Sequence, residues 1–384
     1  MLHCSFLKSD DPGSAGASRI FGVLDFNRRR RLCTMKKTFL VSICLLFVLS
    51  MLACGAEKPA KVTAISLDTT NTKIWFFSDD AFSAENLVIT ATYENGQTEV
   101  IPVSEVEIKA PALAPYGEKE VIVSYREVTA SYTIHTALCV SGEEAKERTY
   151  TLTKGVTLWA YTVGEGKPFA LILPGGGYTM VAETVEGRPY AEKINELGYN
   201  AFVLRYTTGT DPDNPLMYRP LEDVALAMNF IMSNGDFFDI DTEGYAVIGS
   251  SAGGHLAATW SSLPVGSTNY QLPRPATAIL AYAVNHVTEN NMTNLLGTQR
   301  TEELRKSFSV DENIDSDFPA VYNWVFVEDS LRNHTQMMET ALQNAGIPHV
   351  SRYFTGGEHG LGLAEGYEAE GWMEEAITFW LKNR

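Results

Sequence analysis

Cysteine is scarce in this chain, and where it falls excludes more than its number does. Five cysteines occur in 384 residues, and four of them, Cys4, Cys33, Cys44 and Cys54, lie within the first 54. Only Cys139 belongs to the body of the chain, so core burial rather than an intramolecular disulfide must hold it together. No His/Cys group has zinc-ligand spacing, and neither a metal nor a cofactor is expected. The apolar run Thr38 to Ala53 is sixteen residues long, short of the roughly twenty that cross a bilayer. Basic charge is also in deficit, with 30 Lys and Arg against 47 Asp and Glu. Residues 1–53 hold eight basic and three acidic side chains, which leaves −22 on the remainder. Such a surface repels phosphate backbones and anionic headgroups, which argues against a nucleic-acid binder. There is no internal repeat and no low-complexity tract.

What is present begins with addressing signals. Met35-Lys36-Lys37 offers a second start, and the apolar run behind it has the length of a signal-peptide core. Leu52-Ala53-Cys54 resembles a bacterial lipobox, with Met51 in the place of the usual leucine. The resemblance implies cleavage after Ala53 and a lipid anchor on Cys54. The chain is then expected in a bacterial cell envelope, on the outer membrane, in the periplasm or at the surface. Residues 1–53 read as an early start plus signal peptide, and 54–60 as the linker behind the anchor. The competing reading is an ordinary secretory signal cleaved nearby.

Two domains are expected after that. Residues 61–136 read as all-β: Leu87, Ile89, Ala91 and Tyr93 alternate with Val88, Thr90 and Thr92, and Glu94-Asn95-Gly96-Gln97 supplies an Asn-Gly hairpin turn. Short strands at this spacing suggest a β-sandwich similar to bacterial immunoglobulin-like modules. Trp75, Phe76 and Phe77 read as packing residues rather than a sugar-stacking platform. A polar stretch places a linker at 137–148. From 149 to 384 strand and helix signals alternate, which predicts a mostly parallel sheet covered by helices on both faces. Strands are expected near 156–162, 169–173, 200–206, 244–249, 277–284, 321–327 and 348–354. Helices are expected near 181–197, 220–234, 252–262, 331–345 and 368–382.

The chemistry concentrates in three glycine-rich segments. Gly249-Ser250-Ser251-Ala252-Gly253 is a G-x-S-x-G pentapeptide between an apolar strand and a helix-compatible stretch, the context in which a strained turn presents a serine hydroxyl. The glycines suit a turn whose neighbours lie against backbone. A serine at its free pKa is a poor nucleophile and needs a base and an orienting acid. His359, in Gly356-Gly357-Glu358-His359-Gly360, follows a strand and is the candidate base. Asp329 ends the strand before it and is the candidate acid, with Glu328 as the fallback because only one of the two can face the histidine. Pro174-Gly175-Gly176-Gly177-Tyr178 follows an earlier strand and offers backbone N–H groups for an oxyanion from Gly176 or Gly177, joined by that of Ala252. His255 reads as a brace for the turn. His135, His286, His334 and His349 show no partner pattern.

These segments, in this order, resemble the α/β-hydrolase fold, and more narrowly the lid-poor acetyl-esterase and acetylxylan-esterase-like branch. The resemblance covers about Tyr150 to Arg384. It implies a serine hydrolase of short acyl esters, acetyl above all, on plant or dietary polysaccharide. Ser251, His359 and Asp329 would act through an acyl-enzyme, with no cofactor or metal. Pro174 stands where many relatives carry histidine, and Val325-Phe326-Val327-Glu328-Asp329 departs from their acid loop. Two rivals are a serine peptidase on the same fold and an inactive carbohydrate-binding surface lipoprotein. An amine clamp or propeller would favour the first, and loss of the serine or histidine the second.

Overall fold

The computed structural model describes residues 60–141 and 147–384. The expected signal peptide, the expected lipid anchor at Cys54 and most of the 54–60 linker lie outside the described residues. Seven strands build the amino-terminal part: β1 (Val62–Asp68), β2 (Trp75–Phe77), β3 (Val88–Tyr93), β4 (Thr98–Ile101), β5 (Glu107–Lys109), β6 (Gly117–Tyr125) and β7 (Val128–Ser141). β1, β3 and β4 form one sheet, and β5, β6 and β7 line up in the other. The period-two pattern does the sorting. Ile89 and Ala91 are fully buried and pack with Val62, Ile65, Ile101 and Val123, while Val88 faces water. At the hairpin, Tyr93 and Gln97 pair through backbone, and Gly96 takes the positive φ of 79° that the turn requires.

Eight strands follow: β8 (Glu147–Thr153), β9 (Val156–Tyr161), β10 (Lys167–Leu173), β11 (Asn200–Arg205), β12 (Ile240–Ser250), β13 (Thr277–Ala281), β14 (Ala320–Phe326) and β15 (His349–Phe354). They lie in the order β8-β9-β11-β10-β12-β13-β14-β15, antiparallel as far as β11 and parallel from there on. Strands covered on both faces read as unbroken apolar runs, and Phe169 to Leu173 are all fully buried. Helices Arg219–Ser233, Ser251–Ser261 and Arg332–Ala345 pack on one face. Helices Arg188–Glu196 and Trp372–Asn383 pack on the other, through Tyr190, Ile194, Trp372 and Trp380.

Three differences from the sequence reading have physical causes. The stretch expected as a linker holds strand at both ends. β7 pairs with β6 over Val128–Thr136 and then with β8 from Leu138, so one twelve-stranded sheet runs through both regions. The aromatic residues of β2 reinforce this joint: Trp75 is 1% exposed and meets Phe230 edge-on at 5.1 Å. Truncating a side chain buried in this way costs about 3–5 kcal/mol. Second, the helix expected from 181 opens as a wider turn, Glu183–Gly187, and becomes α-helical only at Arg188, where Pro189 fits the first turn. Third, β13 stops at Ala281 because Tyr282 turns out of the strand with φ 39°.

Candidate active site

The C-terminal ends of β10, β12, β14 and β15 converge on Ser251. This residue leaves β12 and opens the helix behind it with φ 53°, a conformation disfavoured for any side chain and typical of strained functional turns. The flanking glycines are required by proximity rather than by their own dihedrals. A Cβ on Gly249 would run into the Gly253 carbonyl, and one on Gly253 into the carbonyls of Leu173 and Pro174. Without those contacts the serine could not stand clear of the sheet.

His359 Nε2 lies 2.9 Å from Ser251 Oγ, and His359 Nδ1 lies 2.8 Å from Asp329 Oδ2. The Asp329 side chain is fully buried, and its other oxygen accepts the Leu331 N–H at 2.8 Å. That bond fixes the carboxylate and leaves one oxygen for the imidazole. With a carboxylate at Nδ1, the proton belongs on that nitrogen, and Nε2 is free to accept from the serine. The neighbouring Glu328 turns elsewhere and accepts the Gly356 N–H at 3.2 Å. Glu358 is exposed in the loop beside the histidine.

Donors for an oxyanion stand beside the serine. Ala252 sits in the first turn of its helix, where backbone N–H groups have no intrahelical acceptor. Gly176 and Gly177 take positive φ values of 127° and 64°, and among the described residues neither N–H has a backbone or side-chain acceptor. The loop is held from its other atoms. Gly176 O accepts from Thr179 and Met180, and Gly175 O accepts from Ala182.

His255 is buried behind the turn and does not reach the serine by any hydrogen bond. Its Nε2 lies 2.9 Å from the Phe308 carbonyl and must therefore donate, and its Nδ1 accepts from the Tyr178 hydroxyl at 2.8 Å. It braces the turn through Tyr178 and Phe308, both distant in sequence, with the Thr259 hydroxyl one turn on at 3.5 Å from Nε2. Burial pushes its pKa down to about 4, against the carbonyl bond, which favours the charged form. His286 contacts Asp311 at 3.1 Å, and His334 Nδ1 accepts the His286 N–H. Among the described residues no group of three or more His, Cys, Asp or Glu has the geometry to hold a metal.

Beneath the site lies a cluster that the sequence did not single out. Glu186 is 4% exposed, accepts the Gly175 N–H at 2.7 Å and accepts the Tyr282 hydroxyl at 2.8 Å. Tyr190 O–H meets Ser250 Oγ at 3.0 Å. Burial raises the carboxyl pKa of Glu186, while the bonds from Tyr282 and Gly175 and the nearby His359 pull it back. Glu186 falls in a stretch whose only visible signal was helical periodicity.

A serine on a strained strand-to-helix turn, served by a histidine and a carboxylate in the order Ser, Asp, His on a mostly parallel sheet, defines an α/β-hydrolase fold carrying an immunoglobulin-like domain. Comparison with known proteins agrees with both parts. Residues 70–136 match the bacterial Ig-like domain (group 3) family, and residues 162–305 match the BD-FAE family. The chain is 32% identical over 214 residues to endo-1,4-beta-xylanase B of Butyrivibrio fibrisolvens, across 53% of this chain and 34% of that protein. It is 25% identical over 223 residues to the acetylxylan esterase of Xylanibacter ruminicola, across 55% of this chain and 44% of that protein. The chain thus spans less than half the length of either curated relative. Among solved structures, an acetyl ester-xyloside bifunctional hydrolase from Caldicellulosiruptor lactoaceticus superposes with a TM-score of 0.52 at 27% identity, over 59% of this chain and 88% of that one.

Proposed function

We propose that this protein is a serine carboxylic-ester hydrolase that removes short acyl groups, acetyl first, from polysaccharide. The observation that carries the reading is the unbroken line Ser251 Oγ, His359 Nε2, His359 Nδ1, Asp329 Oδ2, with links of 2.9 and 2.8 Å, at the apex of the turn. In this reading Ser251 attacks the ester carbonyl while His359 takes its proton at Nε2. Asp329 holds the tautomer and stabilises the imidazolium. The oxyanion rests on the N–H groups of Ala252 and of Gly176 or Gly177. His359 returns the proton to the leaving sugar hydroxyl, and water repeats the sequence on the acyl-enzyme. Glycoside cleavage would need two opposed carboxylates, and the carboxylate here serves a histidine. The curated acetylxylan esterase and the solved acetyl ester-xyloside hydrolase support acetylated xylan as the first substrate to try. The same proposal puts the enzyme in the cell envelope, anchored through Cys54.

The test is acetate release from acetylated xylan and from a small acetyl ester, by the purified protein and by Ser251→Ala. Release from both is expected, with Ser251→Ala lower by at least about 10⁴-fold. Turnover of the small ester alone would retain the mechanism and move the substrate away from xylan. No release from either, by folded protein, would overturn the proposal.

A further inference from the structure

Glu186 is a buried carboxylate for which no ion pair is found among the described residues, at a place where an acid is hard to keep. Both of its oxygens are nonetheless engaged, each with a different part of the site. Oε2 takes the N–H of Gly175, the residue that leads into the Gly176-Gly177 loop. Oε1 takes the hydroxyl of Tyr282, which in turn accepts the N–H of Gly362 at 3.1 Å, three residues beyond His359. The Tyr282 ring also lies against the His359 ring, with centroids 4.9 Å apart. A third branch runs from Tyr282 to Tyr190 at 3.4 Å and on to Ser250, next to the nucleophile. The backbone is shaped to let this happen. A Cβ on Gly175 would come within 2.7 Å of Glu186 Oε2, and one on Gly362 within 2.7 Å of the Val185 carbonyl.

We infer that Glu186 is a positioning residue for acyl transfer, whose two carboxylate oxygens tie the oxyanion loop to the histidine loop through Gly175 and Tyr282. The inference rests on the ester-hydrolase reading for its reaction, but not for its geometry. Donors and base must be aligned together at the moment charge develops on the carbonyl oxygen, and misplacement by about 1 Å is worth on the order of 10²-fold. A carboxylate suits the task because it accepts from two separate donors without needing a proton of its own.

The experiment compares the full protein with Glu186→Ala, Glu186→Gln and Tyr282→Phe. Three quantities are read: kcat and KM on a small acetyl ester, and the rate at which a fluorophosphonate labels Ser251. Labelling forms an Oγ–P bond as fluoride leaves, and it draws on the same base and oxyanion donors without requiring the natural substrate. In folded Glu186→Ala, kcat and the labelling rate are expected to fall about 30- to 100-fold with KM within about 3-fold. Glu186→Gln keeps the length and an acceptor for Gly175, its NH₂ can donate to the Tyr282 hydroxyl oxygen so that both loops stay tied, and it should recover most of the loss. Tyr282→Phe keeps the ring on His359 but cuts the link, and should fall about 10-fold. Unchanged kcat and labelling in folded variants, with only a lower melting temperature, would make the cluster a packing feature and overturn the inference. Glu186→Gln as impaired as Glu186→Ala would also overturn it, since charge rather than anchoring would then matter. Should Glu186→Ala fail to fold, Glu186→Gln and Tyr282→Phe decide the question. Wild-type labelling without ester turnover would sink the esterase reading alone, and the labelling rates would still judge Glu186. No labelling of the wild type would overturn both.

Discussion

His255 and His359 both serve the Ser251 turn, the first from the helix behind it and the second from the loop after β15. His255 is fully buried, donates to a backbone carbonyl and accepts from a tyrosine hydroxyl, so both ring nitrogens are satisfied by neutral partners. His359 is 38% exposed and stands between a buried carboxylate and the serine hydroxyl. The first environment penalises a positive charge, while the second sets a carboxylate behind the ring. Sequence distance from the serine is a poor guide to which histidine can accept its proton. What separates them is whether the nitrogen facing the serine is free, and whether a carboxylate stands behind the ring.

The largest expected effect would break this contrast at the carboxylate. Asn in place of Asp329 keeps an oxygen for the Leu331 N–H but turns an NH₂ group toward His359 Nδ1. The imidazole must then carry its proton on Nε2, where it cannot accept from Ser251. Asp329→Asn is expected to lower kcat by about 10⁴-fold with little change in stability, read by steady-state kinetics and thermal unfolding. A loss of less than 10-fold would mean that some other group orients the ring.

A smaller effect, on stability rather than rate, belongs to His255. Its folded pKa of about 4 lies below the ordinary 6.5, so the unfolded chain binds the extra proton between those values. The stability it contributes is complete above about pH 6.5 and is lost as pH falls toward 4. The size of that loss is on the order of 2–3 kcal/mol by pH 4.5. Urea unfolding at pH 7.5 and pH 4.5 checks this: the gap between the two should shrink by about that amount in His255→Gln. Folded His255→Gln should retain ester turnover within about 10-fold, since no reacting atom is touched. An unchanged gap would assign the acid sensitivity elsewhere, with the raised carboxyl of Asp311 excluded because its contribution runs the opposite way.

Much of this contrast was legible in the residues, and the illegible part has a common cause. Ser251 and His359 stand out in the sequence because glycines mark their turns, and a turn is a local event. The central strands were found because burial on both faces leaves an unbroken apolar run such as Phe169 to Leu173. The first two residues of β8 read as linker because Glu147-Arg148 closes a polar stretch, and their partners are supplied by β7 and β9. Glu186 was invisible for a stronger reason. Its hydroxyl partner Tyr282 lies 96 residues away, and nothing in the spacing of either residue announces the meeting. The wider turn at Glu183–Gly187 belongs to the same case, since periodicity describes a helix face and not a side chain drawn inward.

The smallest effect tests how finely the two adjacent carboxylates divide their work. Glu328 and Asp329 follow the same strand, and alternation alone left either free to face the histidine. In the structure Asp329 meets the ring, while Glu328 accepts the Gly356 N–H at 3.2 Å, at the start of the loop that carries His359. An exposed hydrogen bond of that length adds little, and glutamine can still make it. Glu328→Gln is therefore expected to change kcat by no more than about 2-fold, beside the roughly 10⁴-fold of Asp329→Asn. A 100-fold fall in Glu328→Gln, with Asp329→Asn nearly silent, would show that the working loop turns by one residue when substrate binds. The acid would then have to be reassigned to Glu328, and the contrast between the two histidines would rest on burial alone.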